Sequence, residues 1–477
     1  MKNNLRKTKI VCTMGPASLK EDVLESMFRA GMNIARFNFS HGTHEYHKNG
    51  MELFRKVRNR LKLPAAVLLD TKGPEIRIGE FENGSVELKN GQIFTLTTEK
   101  CAGSAEKVSI TYDKLPQEIA VGTRILIDDG RLELTVVEIE DTNIHCKVIN
   151  GGALGGKKGI NIPGVHLNMP YISEQDESDL RFGIEMDVDF VAASFVRSKD
   201  DLIALRKLLD YYGGHSIRII AKIENAEGVE NFEEILANCD GIMVARGDMG
   251  VEIEFEKLPG IQKKFIRKCY RAGKMVITAT QMLETMIHSK TPTRAEITDV
   301  ANAVFDGTSA VMLSGETAMG DHPAHVVEVM SRIVERAEKD ALEMGAYEGV
   351  SYDSDYFDLT NAICDAACTT ARDIRAKAII AVTKSGTTAR RVSKFRPAET
   401  IVAATPDIKT YHQLSLSWGV SPVLALNQDD TDRLFLHAID CAKQLDIVSK
   451  GDNVVITAGV PLRQSGTTNI IKVQQVK

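Results

Sequence analysis

Short runs of apolar residues alternate with segments of helical period along roughly the first two thirds of the chain. The intervening segments carry apolar residues three and four positions apart, as amphipathic helices do. Apolar strands that alternate with such helices predict a parallel α/β sheet covered on both faces, and eight units predict a closed (β/α)8 (TIM) barrel. The predicted strands are KIVCTMG, MNIARFNFS, AAVLLDT, DFVAASFV, IRIIAKIE, GIMVARG, KMVITAT and SAVMLSG.

A segment of different character interrupts this alternation at residues 72–169. Its period-2 stretches and its Asn-Gly and Asp-Gly pairs, as in SVELKNGQIFTLTTE and TRILIDDGRLELTVVEI, predict antiparallel hairpins. We expect a small β-barrel-like lid, inserted where barrel enzymes build their active sites. Residues 1–71 and 170–350 would then form the barrel. Residues 351–477, with the strands AKAIIAVT, TIVAAT, VVITAG and NIIKVQQV, predict a separate C-terminal α/β domain.

Composition and charge narrow the class of function. The 477 residues carry 59 basic and 65 acidic side chains, a net charge of −6, which predicts no general affinity for nucleic acid or for an anionic membrane. No apolar run approaches the ~18 residues that span a bilayer. The polar, basic start MKNNLRKTKIV lacks the apolar core of a secretion signal, and eight cysteines are too sparse for a disulfide framework. We therefore expect a cytoplasmic protein.

The predicted fifth strand carries two charges where a buried strand should avoid them. Lys222 and Glu224 are two residues apart, so both point to the same face. Charged groups are buried only when they are paired or bound to something. Two interpretations stay open from this stretch alone: a salt bridge that stiffens the core, or a catalytic lysine beside a metal-binding carboxylate.

Polar residues at the other strand ends extend this pattern. Glu224 and Asp248 follow neighbouring strands and offer hard oxygen ligands for Mg²⁺ or Mn²⁺. Arg36 has the planar fork that suits a phosphoryl group, and Lys222 would stabilise charge in a transition state. After Asp248, the stretch MGVEIEFEKLPG predicts a short helical turn that could bind an anion. An oxygen set with few charges suits a monovalent cation; its members are Asn38, Ser40, Asp70 and Thr71.

Taken together, these stretches resemble the pyruvate kinase family over essentially the whole chain. The resemblance is carried, in order, by MNIARFNFSHG, LLDTKGPEIRIG, GGKKGINIPG, AKIENAEG, MVARGDMGVE, ITATQMLETM and SGETAMGDHP. It implies transfer of a phosphoryl group from phosphoenolpyruvate to ADP, which gives pyruvate and ATP, the last step of glycolysis. It also implies a dependence on Mg²⁺ (or Mn²⁺) and K⁺, and a homotetramer.

The resemblance also implies a role for individual residues. Arg36 and Lys222 would contact the phosphoryl group, and Gly247, Asp248 and Thr280 would hold the carboxylate region of phosphoenolpyruvate. The divalent metal would lie on Glu224 and Asp248. The K⁺ oxygens would come from Asn38, Ser40, Asp70 and Thr71. The nucleotide would be bound by Arg77, Lys158, Asn38 and His41, and the residues placed in catalysis are Lys222, Arg36 and Thr280.

One position departs from the K⁺-dependent members of the family. Glu75 in GPEIRIG agrees with them, whereas Ile78 stands where a threonine is expected. We still expect K⁺ to be used. The run from Gly151 to Lys157 has the spacing of a phosphate-binding P-loop, but Lys158 replaces the required Ser or Thr and no helix is predicted to follow, so we reject that interpretation.

The C-terminal domain contains a second candidate site. The loop TKSGTT between a strand and a helix offers hydroxyls, backbone donors and one lysine, although such a loop is more often a plain turn with a helix cap. Because many members of the family hold a sugar-phosphate effector in this domain, the resemblance favours an allosteric phosphate site. Its predicted residues are Thr383, Lys384, Ser385, Gly386, Thr387, Thr388, Arg463, Gly466 and Thr467.

Two alternatives compete with the kinase interpretation. An aldolase or carboxylyase with a barrel fold would also bind Mg²⁺ through paired carboxylates, but it needs neither an inserted lid nor ADP. A catalytically inactive relative would serve as an effector-binding module. Such relatives lose a metal ligand or the catalytic lysine, and this chain retains Arg36, Lys222, Glu224 and Asp248.

Overall fold

The chain begins with three strands of a parallel barrel and the two helices between them. The computed structural model describes residues 6–347, 358–428, 430–461 and 468–477. Helix α2 starts where it does because the side chain of Thr43 accepts a hydrogen bond from the backbone N–H of Tyr46. The first elements are β1 (Lys9–Thr13), α1 (Glu21–Ala30), β2 (Ile34–Asn38), α2 (His44–Leu61) and β3 (Ala66–Asp70).

The inserted lid is a curled, mainly antiparallel sheet, in which only β6 and β7 pair in parallel, and it has its own apolar core. Its elements are β4 (Ile76–Arg77), β5 (Ser85–Leu88), β6 (Ile93–Thr97), β7 (Lys107–Ser109), α3 (Leu115–Glu118), β8 (Arg124–Ile127), β9 (Leu132–Glu140), β10 (Asn143–Asn150), β11 (Gly152–Gly155) and β12 (Gly159–Asn161). The main sheet has the order β4-β12-β8-β9-β10-β6-β7. A bridge between Ile78 and Ile110 brings its two ends together. The predicted β-barrel-like lid is confirmed.

The remaining five barrel strands follow the lid, each after a helical segment. These elements are α4 (Glu174–Glu185), β13 (Phe190–Ala193), α5 (Lys199–Tyr211), β14 (Arg218–Ile223), α6 (Ala226–Glu230), α7 (Phe232–Ala237), β15 (Gly241–Ala245), α8 (Arg246–Glu252), α9 (Leu258–Arg271), β16 (Met275–Ala279), α10 (Arg294–Phe305), β17 (Ala310–Leu313), α11 (Gly315–Ala318) and α12 (Pro323–Glu343). The barrel closes in the order β1-β17-β16-β15-β14-β13-β3-β2. The predicted eight-stranded barrel is confirmed.

Two apolar layers hold the barrel together. One fills its interior with side chains such as Val11, Ile34, Leu68, Ile220 and Met243, and the other lies between the strands and the surrounding helices. Because the interior is closed by apolar side chains, the polar ends of the strands are confined to the mouth of the barrel.

The C-terminal part forms a five-stranded sheet in the order β20-β19-β18-β21-β22, in which only β22 is antiparallel. Its elements are α13 (Leu359–Asp373), β18 (Ala378–Val382), α14 (Thr387–Lys394), β19 (Thr400–Thr405), α15 (Ile408–Gln413), β20 (Val420–Leu424), α16 (Thr431–Gln444), β21 (Asn453–Ala458) and β22 (Ile470–Gln475). The edge strand β20 was not predicted, since Ser421 and Pro422 interrupt its apolar pattern. The separate α/β unit is confirmed, and the exact domain boundaries stay a prediction.

Helix α15 and the segment around Trp418 fix this sheet on the barrel. The Gln413 side chain donates to the carbonyls of Asp189 and Ser216, at 3.1 and 2.7 Å, just before β13 and β14 begin. The single tryptophan, Trp418, lies under the cationic groups of Lys7 and Arg396, at 5.0 and 4.6 Å from the ring centre. The C-terminal sheet therefore contacts the end of the barrel opposite to its mouth.

Both connections between the lid and the barrel meet at one carboxylate. Asp176 and Ser173 form a reciprocal capping box at the start of α4, where the chain returns from the lid. The same Asp176 carboxylate accepts a 3.0 Å hydrogen bond from the N–H of Gly73, on the outgoing connection. Within the described ranges, no helix is both long and apolar enough to cross a bilayer.

We expect Asp176→Ala to loosen the base of the lid. The change removes the reciprocal half of the capping box, in which Asp176 accepts the N–H of Ser173, and leaves the buried N–H of Gly73 without its partner, a loss of about 1–3 kcal/mol. Thermal unfolding and limited proteolysis measure the effect, with Asp200→Ala on the exposed first turn of α5 as the matched control. A variant that unfolds and is cleaved like the control would contradict this role for Asp176.

Candidate active site

Asp70, at the end of β3, is the centre of a buried charge cluster at the barrel mouth. Its carboxylate accepts hydrogen bonds from Arg36 at 2.5 Å and Lys222 at 2.9 Å, and the Ser194 hydroxyl oxygen lies 3.2 Å from it. The side chain is fully buried. Burial alone would raise the pKa of Asp70, but the charges of Arg36 and Lys222 outweigh it and lower the pKa. Asp70 therefore stays ionised and fixes both cations.

Lys222 and Glu224 form the ion pair that the sequence left open. Their charged atoms lie 3.1 Å apart, and both side chains are buried. Glu224 also accepts a 2.7 Å hydrogen bond from the N–H of Phe195. Burial lowers the pKa of Lys222, but Asp70 and Glu224 raise it above its ordinary value, so the lysine stays charged.

A shortage of positive charge remains around Glu224. Burial raises its pKa, the nearby Lys222 lowers it, and the carboxylates of Asp248 and Asp70 raise it further, to a net increase. With Glu224 ionised, three carboxylates (Asp70, Glu224 and Asp248) face two cations, Arg36 and Lys222, which leaves one net negative charge. Such a cluster fits an additional cation.

The pair Glu224 and Asp248 is the candidate ligand set for a divalent metal. The two residues follow β14 and β15, which are hydrogen-bonded neighbours. The negative charge of Asp248 raises the pKa of Glu224. Among the described residues no group of three or more His, Cys, Asp or Glu side chains has a metal-binding arrangement. Two carboxylates suit Mg²⁺, which keeps several waters and substrate oxygens in its shell.

Helix α8 follows β15 directly and carries two further predicted residues. It begins at Arg246, so Asp248 lies in its first turn, whereas the sequence predicted a helical turn after Asp248. The N–H of Gly247 donates to the hydroxyl of Thr280 at 2.8 Å. The structure thus brings Gly247, Asp248 and Thr280 to one side of the mouth.

Thr280 has an unusual backbone conformation. Its φ is +68°, and that of the next residue, Gln281, is +54°. A β-branched residue rarely adopts this left-handed region, at a cost of about 1–3 kcal/mol. Such strain persists only where the surroundings hold it, which marks Thr280 as a position under structural constraint.

The four oxygens assigned to K⁺ lie at the ends of β2 and β3. Asn38 is the register partner of Asp70, and its side-chain oxygen accepts the N–H of Ser40 at 3.1 Å. Thr71 follows Asp70, and its carbonyl accepts the Ser194 hydroxyl at 2.6 Å. The four residues therefore occupy one corner of the mouth, beside the Asp70 cluster.

The three remaining nucleotide-directed residues lie further out. Arg77 on β4 and Lys158 before β12 are close neighbours in the lid sheet. Each forms an ion pair with a lid carboxylate at 2.8 Å: Arg77 with Glu75, and Lys158 with Asp128. His41 is exposed in the loop after β2. The structure does not join these side chains to the Asp70 cluster by a direct contact.

The C-terminal loop has the expected position, and much of its hydrogen bonding is internal. Gly386, with φ +79°, precedes α14, and the hydroxyls of Ser385 and Thr387 lie 3.0 Å apart. Thr388 contacts Thr468 at 2.8 Å. Thr383 is buried at the end of β18, and Lys384 is exposed. Three predicted residues lie outside the described part of the chain: Arg463, Gly466 and Thr467.

Sequence reasoning missed Ser194 and Thr13. Ser194 accepts a 2.7 Å hydrogen bond from Lys222, and Thr13 accepts one of 2.9 Å from Arg36. Both follow the rule already used, since they are polar residues at strand ends, of β13 and β1. Applying that rule to all eight strands would have found them.

Buried cations and paired carboxylates lie together at the mouth of the barrel, beside the lid. This arrangement is typical of an enzyme that acts on an anionic substrate. The comparisons with known proteins specify the class. Residues 5–327 match the family model of the pyruvate kinase barrel domain, and residues 361–474 match that of the pyruvate kinase alpha/beta domain.

Full-length relatives agree with these matches. The chain is 46% identical over 474 residues to a pyruvate kinase of Clostridium acetobutylicum, covering 99% of this chain and 100% of the relative. It is 47% identical over 477 residues to a pyruvate kinase of Staphylococcus aureus strain MRSA252, covering 99% of this chain and 81% of the relative. The chain belongs to the pyruvate kinase family, whose members are phosphotransferases.

We expect Asp70→Asn to destabilise the protein as well as its site. The amide keeps the shape but leaves Arg36 and Lys222 buried beside a neutral group, and breaking a buried ion pair costs about 3–5 kcal/mol. Thermal unfolding checks this against Asp373→Asn, an exposed residue at the end of α13. Equal unfolding temperatures for the two variants would show that Asp70 does not stabilise the cluster.

Proposed function

We propose that the chain transfers the phosphoryl group of phosphoenolpyruvate to ADP, giving pyruvate and ATP. The observation that carries the proposal is the buried set of Arg36, Asp70 and Lys222 beside the carboxylates of Glu224 and Asp248. Family membership and the relatives named above support the same reaction. A phosphoryl group in transfer has charge spread over its oxygens, so fixed positive groups are what its catalysis requires.

The residues divide the task by position. Arg36 and Lys222 are held by Asp70 and present positive charge to the phosphoryl oxygens without reorganising. Glu224 and Asp248 would hold Mg²⁺ or Mn²⁺, whose charge adds to that of the two side chains when it is bound. Gly247 and Thr280 border the carboxylate region of the substrate. Thr280 would assist protonation of the enolate carbon from its place beside that region.

The proposal includes K⁺ at the corner formed by Asn38, Ser40, Asp70 and Thr71. Neutral oxygens outnumber the single carboxylate there, which suits a monovalent ion.

Arg77 and Lys158 would bind the nucleotide phosphates. Their ion pairs with Glu75 and Asp128 are partly exposed, and exposed pairs contribute only about 0–1 kcal/mol, so a phosphate group can replace the carboxylates. The expected homotetramer stays a prediction.

A coupled assay for pyruvate formation tests the reaction. We expect turnover with phosphoenolpyruvate, ADP, Mg²⁺ and K⁺, and its loss when ADP or Mg²⁺ is omitted; omission of K⁺ should lower it. Lys222→Met should reduce kcat by about 10²–10³-fold or more, because it removes a preorganised charge from the transition state. Lys207→Met, on the exposed face of α5, should have no such effect.

Mn²⁺ titration and thermal unfolding of Lys222→Met separate a catalytic loss from a structural one. We expect the variant to remain folded and to retain Mn²⁺ binding. Pyruvate formation without ADP would favour a lyase instead of a kinase. Undiminished turnover in the variant would refute the role of Lys222.

We further propose that a phosphorylated small molecule binds the loop Thr383–Thr388 and regulates activity. Three features support the proposal: the exposed amino group of Lys384, the hydroxyls around it, and the left-handed Gly386 at the start of α14. The Lys384 carbonyl also accepts a 2.9 Å hydrogen bond from the hydroxyl of Thr410 on α15, the helix that contacts the barrel. A ligand at this loop would therefore be linked to the barrel through one hydrogen bond and the contacts of α15.

Screening phosphorylated sugars and nucleotides for a shift in the phosphoenolpyruvate dependence of the rate tests this regulation. We expect at least one compound to move the curve, and Lys384→Met to abolish the shift. Lys377→Met, at the opposite end of β18 and also exposed, is the matched control. If no compound moves the curve, or if both variants respond alike, the proposed site is wrong.

A further inference from the structure

The turn after β16 places Thr280 against the neighbouring helix α8. Thr280 and Gln281 are consecutive residues in the left-handed backbone region, with φ of +68° and +54°. In this conformation the Thr280 hydroxyl accepts the N–H of Gly247 at 2.8 Å and donates to the carbonyl of Ala279 at 2.7 Å. Neither Thr280 nor Gln281 favours the conformation by itself, so groups outside the turn must stabilise it.

Arg246 binds two backbone carbonyls of this turn. Its guanidinium donates to the carbonyl of Thr280 at 2.5 Å and to that of Ala279 at 3.3 Å. A third donor reaches Asp299 on α10 at 2.7 Å, which fixes the plane of the guanidinium. Two carbonyls that flank a strained residue are therefore bound by one rigid fork.

Glu316 anchors the chain just after the turn, at Leu283. The side chain is fully buried, and one carboxylate oxygen accepts the N–H of Leu283 at 3.1 Å. The other accepts the N–H of Ser314, at the end of β17, at 2.6 Å. Glu316 therefore ties the exit of the turn to the next barrel strand. Burial raises the pKa of Glu316, and the backbone N–H groups lower it again in part.

We propose that Arg246 and Glu316 are positioning residues that together hold Thr280 in its left-handed conformation, with its hydroxyl directed at the Gly247–Asp248 side of the site. Neither residue is assigned a contact with substrate. The inference rests on the proposed function, because it assumes that the hydroxyl of Thr280 contributes to turnover. We call the pair Arg246 and Glu316 the Thr280 clasp.

A double-mutant cycle tests the clasp. Arg246→Lys keeps the charge but loses the fork, Glu316→Gln can accept only one of the two N–H groups, and Thr280→Val keeps the shape but loses the hydroxyl. We expect each clasp variant to lose about 10–10²-fold in kcat/KM in the wild-type background, since small displacements of catalytic groups have effects of this size. In the Thr280→Val background, the same changes should cost less than about twofold.

The outcome separates positioning from general stabilisation. A residue that merely supports the fold would cost the same factor with or without the Thr280 hydroxyl, and equal losses in the two backgrounds would overturn the inference. Unchanged kcat/KM in Arg246→Lys and Glu316→Gln would also overturn it. The matched controls are Arg332→Lys and Glu328→Gln, both exposed on α12, which should behave like the wild type.

Two further measurements keep the test decisive. Should Arg246→Lys fail to fold, Asp299→Asn takes its place in the cycle, because it leaves Arg246 present but releases the plane of its guanidinium. The wild-type assay is read first: absence of pyruvate formation contradicts the proposed function and with it the clasp. An active wild type with additive variants contradicts the clasp alone.

Discussion

The site depends on one buried carboxylate, that of Asp70. Two cations, Arg36 and Lys222, point into the mouth of a barrel whose interior is apolar, and neither would be stable there without a counter-charge. Asp70 supplies it to both through separate oxygens. The two cations are thereby fixed in position, and the proposed reaction would use them with little reorganisation.

Most of the architecture could be predicted from periodicity, because each barrel strand is a short apolar run between amphipathic helices. The strand β20 was missed since Ser421 and Pro422 break that pattern. The ambiguous pair Lys222 and Glu224 shows a limit of a different kind. It is a buried salt bridge and also part of the charge cluster at the mouth, so the two interpretations do not exclude one another.

Strand ends alone predicted that Arg36, Asp70 and Lys222 lie together, and the structure brings them into contact; their roles stay a prediction. The sequence did not reveal the backbone conformation of individual residues, or which predicted site residues are already paired with other side chains. Nothing in the letters ITATQ indicates that Thr280 has a positive φ, since tertiary contacts impose it. Nor does the motif GPEIRIG reveal that Arg77 is already paired with Glu75 in the lid, an interaction that depends on how the sheet curls.

The junction at Asp176 has a consequence for how the lid is built into the barrel. The chain leaves and re-enters the barrel at adjacent points, and one carboxylate connects Gly73 on one side with the cap of α4 on the other. Both connecting segments meet at Asp176, and the lid has an apolar core of its own. The lid is therefore a structural unit that could be exchanged without rebuilding the barrel. Lengthening or replacing its outer hairpins should leave the geometry of the eight strands untouched.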